Sequence, residues 1–506
     1  MTDNYIERIL KARVYDVAME SPLEAAPRLS RRVGNHVLFK REDLQPVFSF
    51  KLRGAYNKIA HLSDSVAKRG VICASAGNHA QGVALAAQRR GIPATIVMPQ
   101  TTPSIKVNAV RALGGEVVLH GDGYDAAFEH AQTIVRERNL AFVHPFDDPD
   151  VIAGQGTIAV EILRQSRGDV DAIFVPVGGG GLIAGIAIYA KFLNPKIKII
   201  GVEPVDAAAM FESLRAKKRV VLDHVGIFAD GVAVKKVGEE TFRLCREHVD
   251  EVVLVDTDEI CAGIQDIFED TRSIVEGAGA LAVAGIKKYC ALNHWKDKRI
   301  VAVNSGANMN FDQLRYVAER SDVGQAREAL LAVEIPEQPG SFLRFCELLG
   351  SRAVTEFNYR YGRKERAQIF VGFGLSRGKE ERDEVVASLK AAGYGVTDMT
   401  DNEIAKLHVR YMVGGHVNGS VANERLFRFE FPERKGALLN FLQAVGTRWN
   451  ITLFHYRNHG SDYGRVLAGI DVPPADMTDF LDHLNVLHFS YSDETNNPVY
   501  RIFLGS

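Results

Sequence analysis

Residues 172–193 read AIFVPVGGGGLIAGIAIYAKFL: an apolar run from Ala172 to Val177, then Gly178-Gly179-Gly180-Gly181-Leu182, then an apolar helical stretch from Ile183 to Leu193. A buried strand that turns through glycine into a helix is half of a crossover unit. Four glycines let the backbone amides curl around a phosphate at a helix N-terminus, where the helix dipole favours an anion. A flexible linker is the alternative, but linkers do not sit between a buried strand and an apolar helix. The run fits neither G-x-G-x-x-G nor the P-loop with its lysine, so nucleotide binding is not indicated.

The same rhythm extends outward, from about residue 35 to 310. Gly70 to Ala74, Ala94 to Met98, Glu116 to Leu119, Ile197 to Val202, Val252 to Val255 and Ile300 to Val303 read as further strands. Asn78 to Arg90 reads as a helix, and Thr102-Pro103 as an N-cap followed by proline at the first helical position. Strands separated by helices imply an α/β fold whose sheets are mostly parallel and covered on both faces.

From about residue 330 the chain repeats itself. Glu334-Ile335-Pro336-Glu337-Gln338-Pro339-Gly340-Ser341-Phe342-Leu343 matches Glu430-Phe431-Pro432-Glu433-Arg434-Lys435-Gly436-Ala437-Leu438-Leu439, and Phe357-Asn358-Tyr359-Arg360 matches Phe454-His455-Tyr456-Arg457. Two blocks at nearly one offset indicate a duplicated module. Each copy reads as strand, Pro/Gly turn, helix, then a strand with Tyr-Arg near its end, giving two small α+β units. The domain boundaries expected are 1–320, 327–410 and 423–502, with the polar stretch Asp312 to Glu328 as a stiff helical connector.

Lysine and arginine total 61 against 63 acids, with no basic run, so nothing points to a nucleic-acid or anionic-membrane partner. The five cysteines are odd in number and form no C-x-x-C, which excludes a disulfide framework or zinc ribbon and fits a reducing compartment. The first residues, MTDNYIERIL, carry acids and no apolar core, unlike a signal or transit peptide. No apolar run is long enough to span a bilayer. A cytoplasmic enzyme is the expectation.

Three other segments can converge with the glycine run outside the carboxyl ends of the strands. In Ser49-Phe50-Lys51-Leu52-Arg53-Gly54-Ala55, apolar neighbours can desolvate Lys51 and lower its pKa toward the neutral amine that forms a Schiff base; alone it reads as an ordinary amphipathic lysine. In Ser75-Ala76-Gly77-Asn78-His79-Ala80-Gln81-Gly82, outward amides suit a carboxylate and Asn78 can donate to a phenolic oxygen, although a plain capped turn fits equally. His79 reads as a structural partner rather than a base. In Asn304-Ser305-Gly306-Ala307-Asn308, a hydroxyl at a strand end can meet a heteroaromatic nitrogen, or the segment is an ordinary turn.

Together these segments resemble the pyridoxal 5′-phosphate (PLP) dependent β-eliminating family that includes threonine and serine dehydratases, serine racemase and the tryptophan synthase β-subunit. The resemblance covers about residues 1 to 320, and the duplicated tail resembles the ACT-like regulatory domains of biosynthetic threonine deaminases. It implies that Lys51 carries PLP, that Phe50 lies against its ring, that Asn78 binds its 3′-oxygen, and that Gly178, Gly179, Gly180, Gly181 and Leu182 cradle the phosphate. It places Ser305 at the ring nitrogen, where a neutral hydroxyl makes the cofactor a weaker electron sink, and docks the substrate carboxylate on Ser75, Ala76, Gly77 and Asn78. The implied reaction is deamination of L-threonine, or of L-serine, the former yielding 2-oxobutanoate and ammonia. Racemase relatives carry serine where this chain has Ala76, which argues against racemisation. Metal-dependent relatives place two carboxylates after the strand ending at Val202; here Glu203 is present but the second position is Ala209, so no metal is expected. The resemblance also implies a homotetramer controlled through the tail by isoleucine, with valine as its antagonist, and makes Tyr359, Arg360, Tyr456 and Arg457 candidates to line the effector sites. Pure oligomerisation is the alternative role for the tail; a serine dehydratase and a catalytically silent amino-acid sensor are the alternatives for the whole chain.

Overall fold

The computed structural model describes residues 5–350, 352–360, 366–412, 421, 423–432, 437–445, 448–457, 463–486 and 490–498. The chain divides into two compact units, Met1–Gly324 and Gln325–Ser506.

The strands of the first unit are β1 Leu23–Ala25, β2 His36–Arg41, β3 Val71–Ala74, β4 Ala94–Met98, β5 Glu116–Leu119, β6 Ala141–Phe142, β7 Ala172–Pro176, β8 Lys198–Pro204, β9 Glu251–Val255 and β10 Arg299–Asn304. They form two sheets, ordered β1-β2-β10-β7-β8-β9 and β5-β4-β3-β6. Every pairing is parallel except the edge strand β1, which runs antiparallel to β2. The larger sheet is buried on both faces because its side chains alternate. Ile173, Val175, Ile199, Val301 and Val303 enter one core, and Phe174, Ile200, Val202, Ile300 and Ala302 the other.

Expected and observed elements agree at Asn78–Arg90, β4 and β5, and elsewhere ends move by one or two residues. One start is corrected. The helix after β4 is Ser104–Ala112, and Pro103 is its cap residue at φ −55°, ψ 139°, rather than its first helical residue. Its ψ is extended, so the helix cannot begin there. The Thr102 hydroxyl is buried without a hydrogen-bond partner among the described residues, so it does not cap. The expected connector is helical, at Gln313–Gly324, but it belongs to the first unit and buries Val317 and Arg320. The helical character of the connector is as expected.

In the second unit the strands are β11 Glu328–Pro336, β12 Val354–Arg360, β13 Arg366–Gly374, β14 Gly395–Asp398, β15 Glu424–Pro432, β16 Asn450–Arg457, β17 Tyr463–Asp471 and β18 Ser490–Asp493. Helices Ser341–Leu349, Lys379–Ala391, Ala437–Val445 and Met477–Val486 complete two β-α-β-β-α-β copies. The first copy's Pro/Gly turn precedes the helix Ser341–Leu349 as expected, with Gly340 at φ +85°; the second copy's turn, Glu433 to Gly436, lies outside the described residues. The two copies are not separate layers. They share one sheet, ordered β14-β11-β13-β12-β16-β17-β15-β18, because the matched Tyr-Arg strands β12 and β16 pair antiparallel. Phe357 faces Tyr456 and Tyr359 faces Phe454, so equivalent residues exchange places about a local two-fold. Among the described residues no helix is long and apolar enough to cross a membrane.

Candidate active site

Lys51 begins the helix Lys51–Ala60, and the chain just before it is stitched to the end of β10. Ser49 forms an antiparallel bridge with Gly306, the Phe50 amide donates to the Ser305 carbonyl at 3.2 Å, and the Ala307 amide donates to the Phe48 carbonyl at 2.8 Å. Two segments separated by about 250 residues in the sequence are thereby fixed side by side. The Lys51 amine donates to the Pro145 carbonyl at 3.1 Å and lies 5.3 Å from the centre of the Phe50 ring. Burial lowers its pKa from the usual lysine range to about 8, with the Glu276 carboxyl pulling the other way. The amine is thus close to the neutral form that a nucleophile or base needs.

The glycine run follows β7 and opens the helix Gly181–Leu193. Gly180 sits at φ +95°, a left-handed conformation that glycine adopts without strain. A Cβ on Gly179 would lie 2.2 Å from the Phe146 ring, so only glycine lets that ring back the loop. The Gly179 carbonyl accepts from the Thr241 hydroxyl at 2.6 Å. None of the amides from Gly178 to Leu182 donates to an acceptor among the described residues. Unpaired amides at a helix N-terminus are an anion site in waiting.

Asn78 opens the helix Asn78–Arg90. Its Nδ2 donates to Glu276 Oε1 at 2.6 Å, and its Oδ1 accepts from Asn308 Nδ2 at 2.6 Å. Ser75, Ala76, Gly77 and Asn78 are all partly buried, and a Cβ on Gly77 would meet nothing within 4 Å, which leaves room for a small ligand there. His79 turns away, its Nε2 donating to the Val143 carbonyl at 2.9 Å, and burial lowers it to about 3, so it stays neutral. Ser305 is buried, with its hydroxyl 3.3 Å from the Ala278 carbonyl. Glu203 accepts the amides of Met210 and Phe211, each at 2.8 Å, and so closes the N-terminus of the helix Ala209–Ala216.

These donors fit pyridoxal phosphate: a desolvated amine for the aldehyde, unpaired amides for the phosphate, and a neutral hydroxyl rather than a carboxylate for the ring nitrogen. Sequence reasoning missed three supports. Glu276 stands alone in Val275-Glu276-Gly277-Ala278, an acid amid small apolar residues, and that isolation is the signal that could have marked it. The loop His144 to Asp147 holds Lys51 through Pro145, backs the glycines with Phe146, and caps the helix Glu239–His248 with Asp147, which accepts three of its amides. Arg53 is fully buried between Glu42 and Glu161, at 2.6 to 3.0 Å, and Lys40 also reaches Glu161 at 2.6 Å.

The four effector candidates fall in β12 and β16. Tyr359 and Tyr456 are buried in the core of the shared sheet. The Tyr359 hydroxyl donates to Glu337 at 2.5 Å, and Asn450 donates to the same carboxylate at 3.0 Å; burial raises the pKa of Glu337. Arg360 pairs with Glu424 across the two copies, 3.0 Å from Nη2 to Oε2. The Arg457 side chain lies outside the described residues.

Residues 15–306 match the model of the pyridoxal-phosphate dependent enzyme family, and residues 319–409 and 416–504 match that of the C-terminal regulatory domain of threonine dehydratase. The chain is 58% identical over 504 residues to the biosynthetic L-threonine dehydratase IlvA of Burkholderia multivorans, covering 99% of both proteins. To the Escherichia coli protein of the same name it is 54% identical over 500 residues, covering 99% of this chain and 97% of that one. Among solved structures, the processed form of threonine deaminase isoform 2 from Solanum lycopersicum superimposes with a TM-score of 0.62 at 55% identity, over 63% of this chain and 92% of that one. Maize serine racemase does so with a TM-score of 0.59 at 33% identity, over 62% of this chain and 96% of that one.

Proposed function

The chain belongs to the pyridoxal-phosphate dependent enzymes and, among them, to the biosynthetic threonine dehydratases, and from that premise we propose how its own residues carry out the deamination of L-threonine to 2-oxobutanoate and ammonia. The observation that carries the reading is that Ser305 is hydrogen-bonded to the residue before Lys51, that Asn78 reaches Glu276 beside Gly306, and that one loop touches both Lys51 through Pro145 and Gly179 through Phe146, in a chain matched over nearly its full length. Lys51 would hold the cofactor covalently, the amides of Gly178 to Leu182 would take its phosphate, Asn78 its ring oxygen and Ser305 its ring nitrogen, with Phe50 beside the ring. Once bound, pyridoxal phosphate supplies a conjugated system that acidifies the substrate Cα–H bond.

The chain supplies positioning and proton transfer. The segment Ser75 to Asn78 orients the substrate carboxylate through the Ser75 hydroxyl and the amides of Ala76 and Asn78, the Ser75 amide itself donating to the Val97 carbonyl. Once the substrate's amine has displaced it from the cofactor, the freed Lys51 amine, which burial keeps below the usual lysine range, takes the Cα proton as general base. The proton taken from Cα and the β-hydroxyl leave together as water, and the remaining enamine takes up a water to give the oxo acid and ammonia. Ala76 offers no hydroxyl to return a proton to the opposite face, which favours elimination over racemisation. His79, neutral and turned to Val143, takes no proton from substrate.

The second unit is the regulatory part of this reading, with isoleucine as inhibitor and valine as its antagonist. A homotetramer and a cytoplasmic location belong to the same proposal; the five cysteines, all buried and none in a disulfide, are compatible with a reducing compartment. The test is to supply L-threonine, L-serine or 2,3-diaminopropionate and follow oxo-acid formation with and without isoleucine. The highest kcat/KM is expected for L-threonine. Removal of residues 325–506 is expected to leave an active enzyme blind to isoleucine, and a truncated protein still inhibited sigmoidally would refute the regulatory assignment.

A further inference from the structure

Glu276 occupies the cap position of the helix Gly277–Asn293 yet makes no side-chain bond to that helix. It is buried and turned across the cleft to Asn78. The notch that admits it depends on glycine: a Cβ on Gly306 would lie 2.5 Å from its Oε1, and one on Gly231 would lie 3.4 Å away. Its own amide donates to the Gly306 carbonyl at 3.2 Å, tying it to the strand end that carries Ser305. A carboxylate can only accept, so an ionised Glu276 compels the Asn78 carboxamide to present Nδ2 to it, while Asn308 holds Oδ1 from the other side. One Nδ2 hydrogen remains to donate into the cleft. A carboxamide in place of Glu276 would permit the flipped orientation as well.

Resting on the reading of the cleft as a pyridoxal-phosphate site, we infer that Glu276 is a positioning residue for the reaction: it fixes the donor face of Asn78 toward the cofactor's ring oxygen and sets the charge that Lys51 faces. The charged and polar groups around it come from several packed elements. Lys51 and Asn78 begin their helices, Asp230 lies on the turn Asp230–Val232, and Lys106 of the helix Ser104–Ala112 pairs with Asp230. Burial, and next the Asp230 charge, push Glu276 up to about 7, so its ionisation falls near neutral pH. Above that pH it accepts from Asn78 and favours the protonated form of the Lys51 amine; below it, both effects fade.

The experiment compares holoenzyme with Glu276→Gln and Glu276→Asp. It follows the absorbance of bound pyridoxal phosphate against pH, the affinity of the apo protein for pyridoxal phosphate, and kcat/KM for L-threonine against pH. Glu276→Gln is expected to keep the cofactor band, to move its pH midpoint down by about one unit through loss of the facing charge, and to lower kcat/KM about tenfold with loss of the ionisation near pH 7. Glu276→Asp keeps the charge and is expected to restore the wild-type midpoint while recovering only part of kcat/KM. A purely structural residue would not move the midpoint. Wild-type midpoint and profile in Glu276→Gln would overturn the role of Glu276 and leave the cleft assignment standing, whereas wild-type protein with no pyridoxal-phosphate band would overturn both.

Discussion

In the first unit's candidate site the amides from Gly178 to Leu182 face no acceptor among the described residues and burial lowers a lysine amine to about 8, whereas in the second unit Arg360 lies on Glu424, Arg410 on Glu356, and Tyr359 and Asn450 both on Glu337. The cleft keeps polar capacity open for a ligand. The second unit closes that capacity on itself, both within a copy and between copies of one module. A buried polar group that lacks a partner is costly in either place, so open groups grouped at one cleft mark where binding energy is available. Closed ones mark where the chain stabilises a unique arrangement.

The contrast can be broken from either side. Lys51→Ala removes the open amine and is expected to lower oxo-acid formation from L-threonine by more than about a thousandfold, within the range for losing a proton-transfer group. Full turnover by that variant would refute the mechanism. Beneath the cleft the first unit also has a closed network, and Arg53→Met leaves Glu42 and Glu161 facing one another with Lys40 as the remaining cation. A loss of about 3–5 kcal/mol in denaturant unfolding is expected, the cost of removing one partner from a buried ion pair. Arg360→Met deprives a single carboxylate and should cost about 2–3 kcal/mol, read as faster amide exchange in β12, β15 and β16 with the cofactor band unchanged. Gly179→Ala drives a methyl toward Phe146 and displaces the loop; pyridoxal-phosphate affinity is expected to fall about tenfold, measured by titration of the apo protein.

A pH-dependent effect concerns Glu203. Burial pushes it up to about 8 against the pull of two amides. A raised folded pKa means that the folded chain binds a proton the unfolded chain has already released, so this contribution is present below the ordinary glutamate range and is lost as pH rises through about 8. Glu203→Gln should therefore flatten the decline in Tm between pH 5.5 and 8.5. An unchanged slope would show that the two amides outweigh burial.

Much of this was legible in the chain because the signals are local. Strand, glycine and helix adjoin at residues 172–193, and the duplication survives as matched residues at nearly constant spacing. What was not legible is long-range. No local pattern says that β3 to β6 form a sheet apart from β7 to β10, since that depends on which edges meet. Arg53 and Glu276 each look like a single charged residue until partners from distant segments surround them. The shared sheet of the tail was hidden for a similar reason: the matched Tyr-Arg strands mark repetition, and only their pairing shows that the copies join there.

That pairing has a bearing on solubility. A lone copy would expose β12 or β16, a long strand with a free row of amides and carbonyls of the kind that recruits other chains. Joined through these strands, the two copies retire both edges at once, and the sheet ends instead on β14 and β18, each four residues long. Duplication within one chain thus does the work of a chaperone: it keeps the stickiest backbone of the module permanently out of reach of its neighbours.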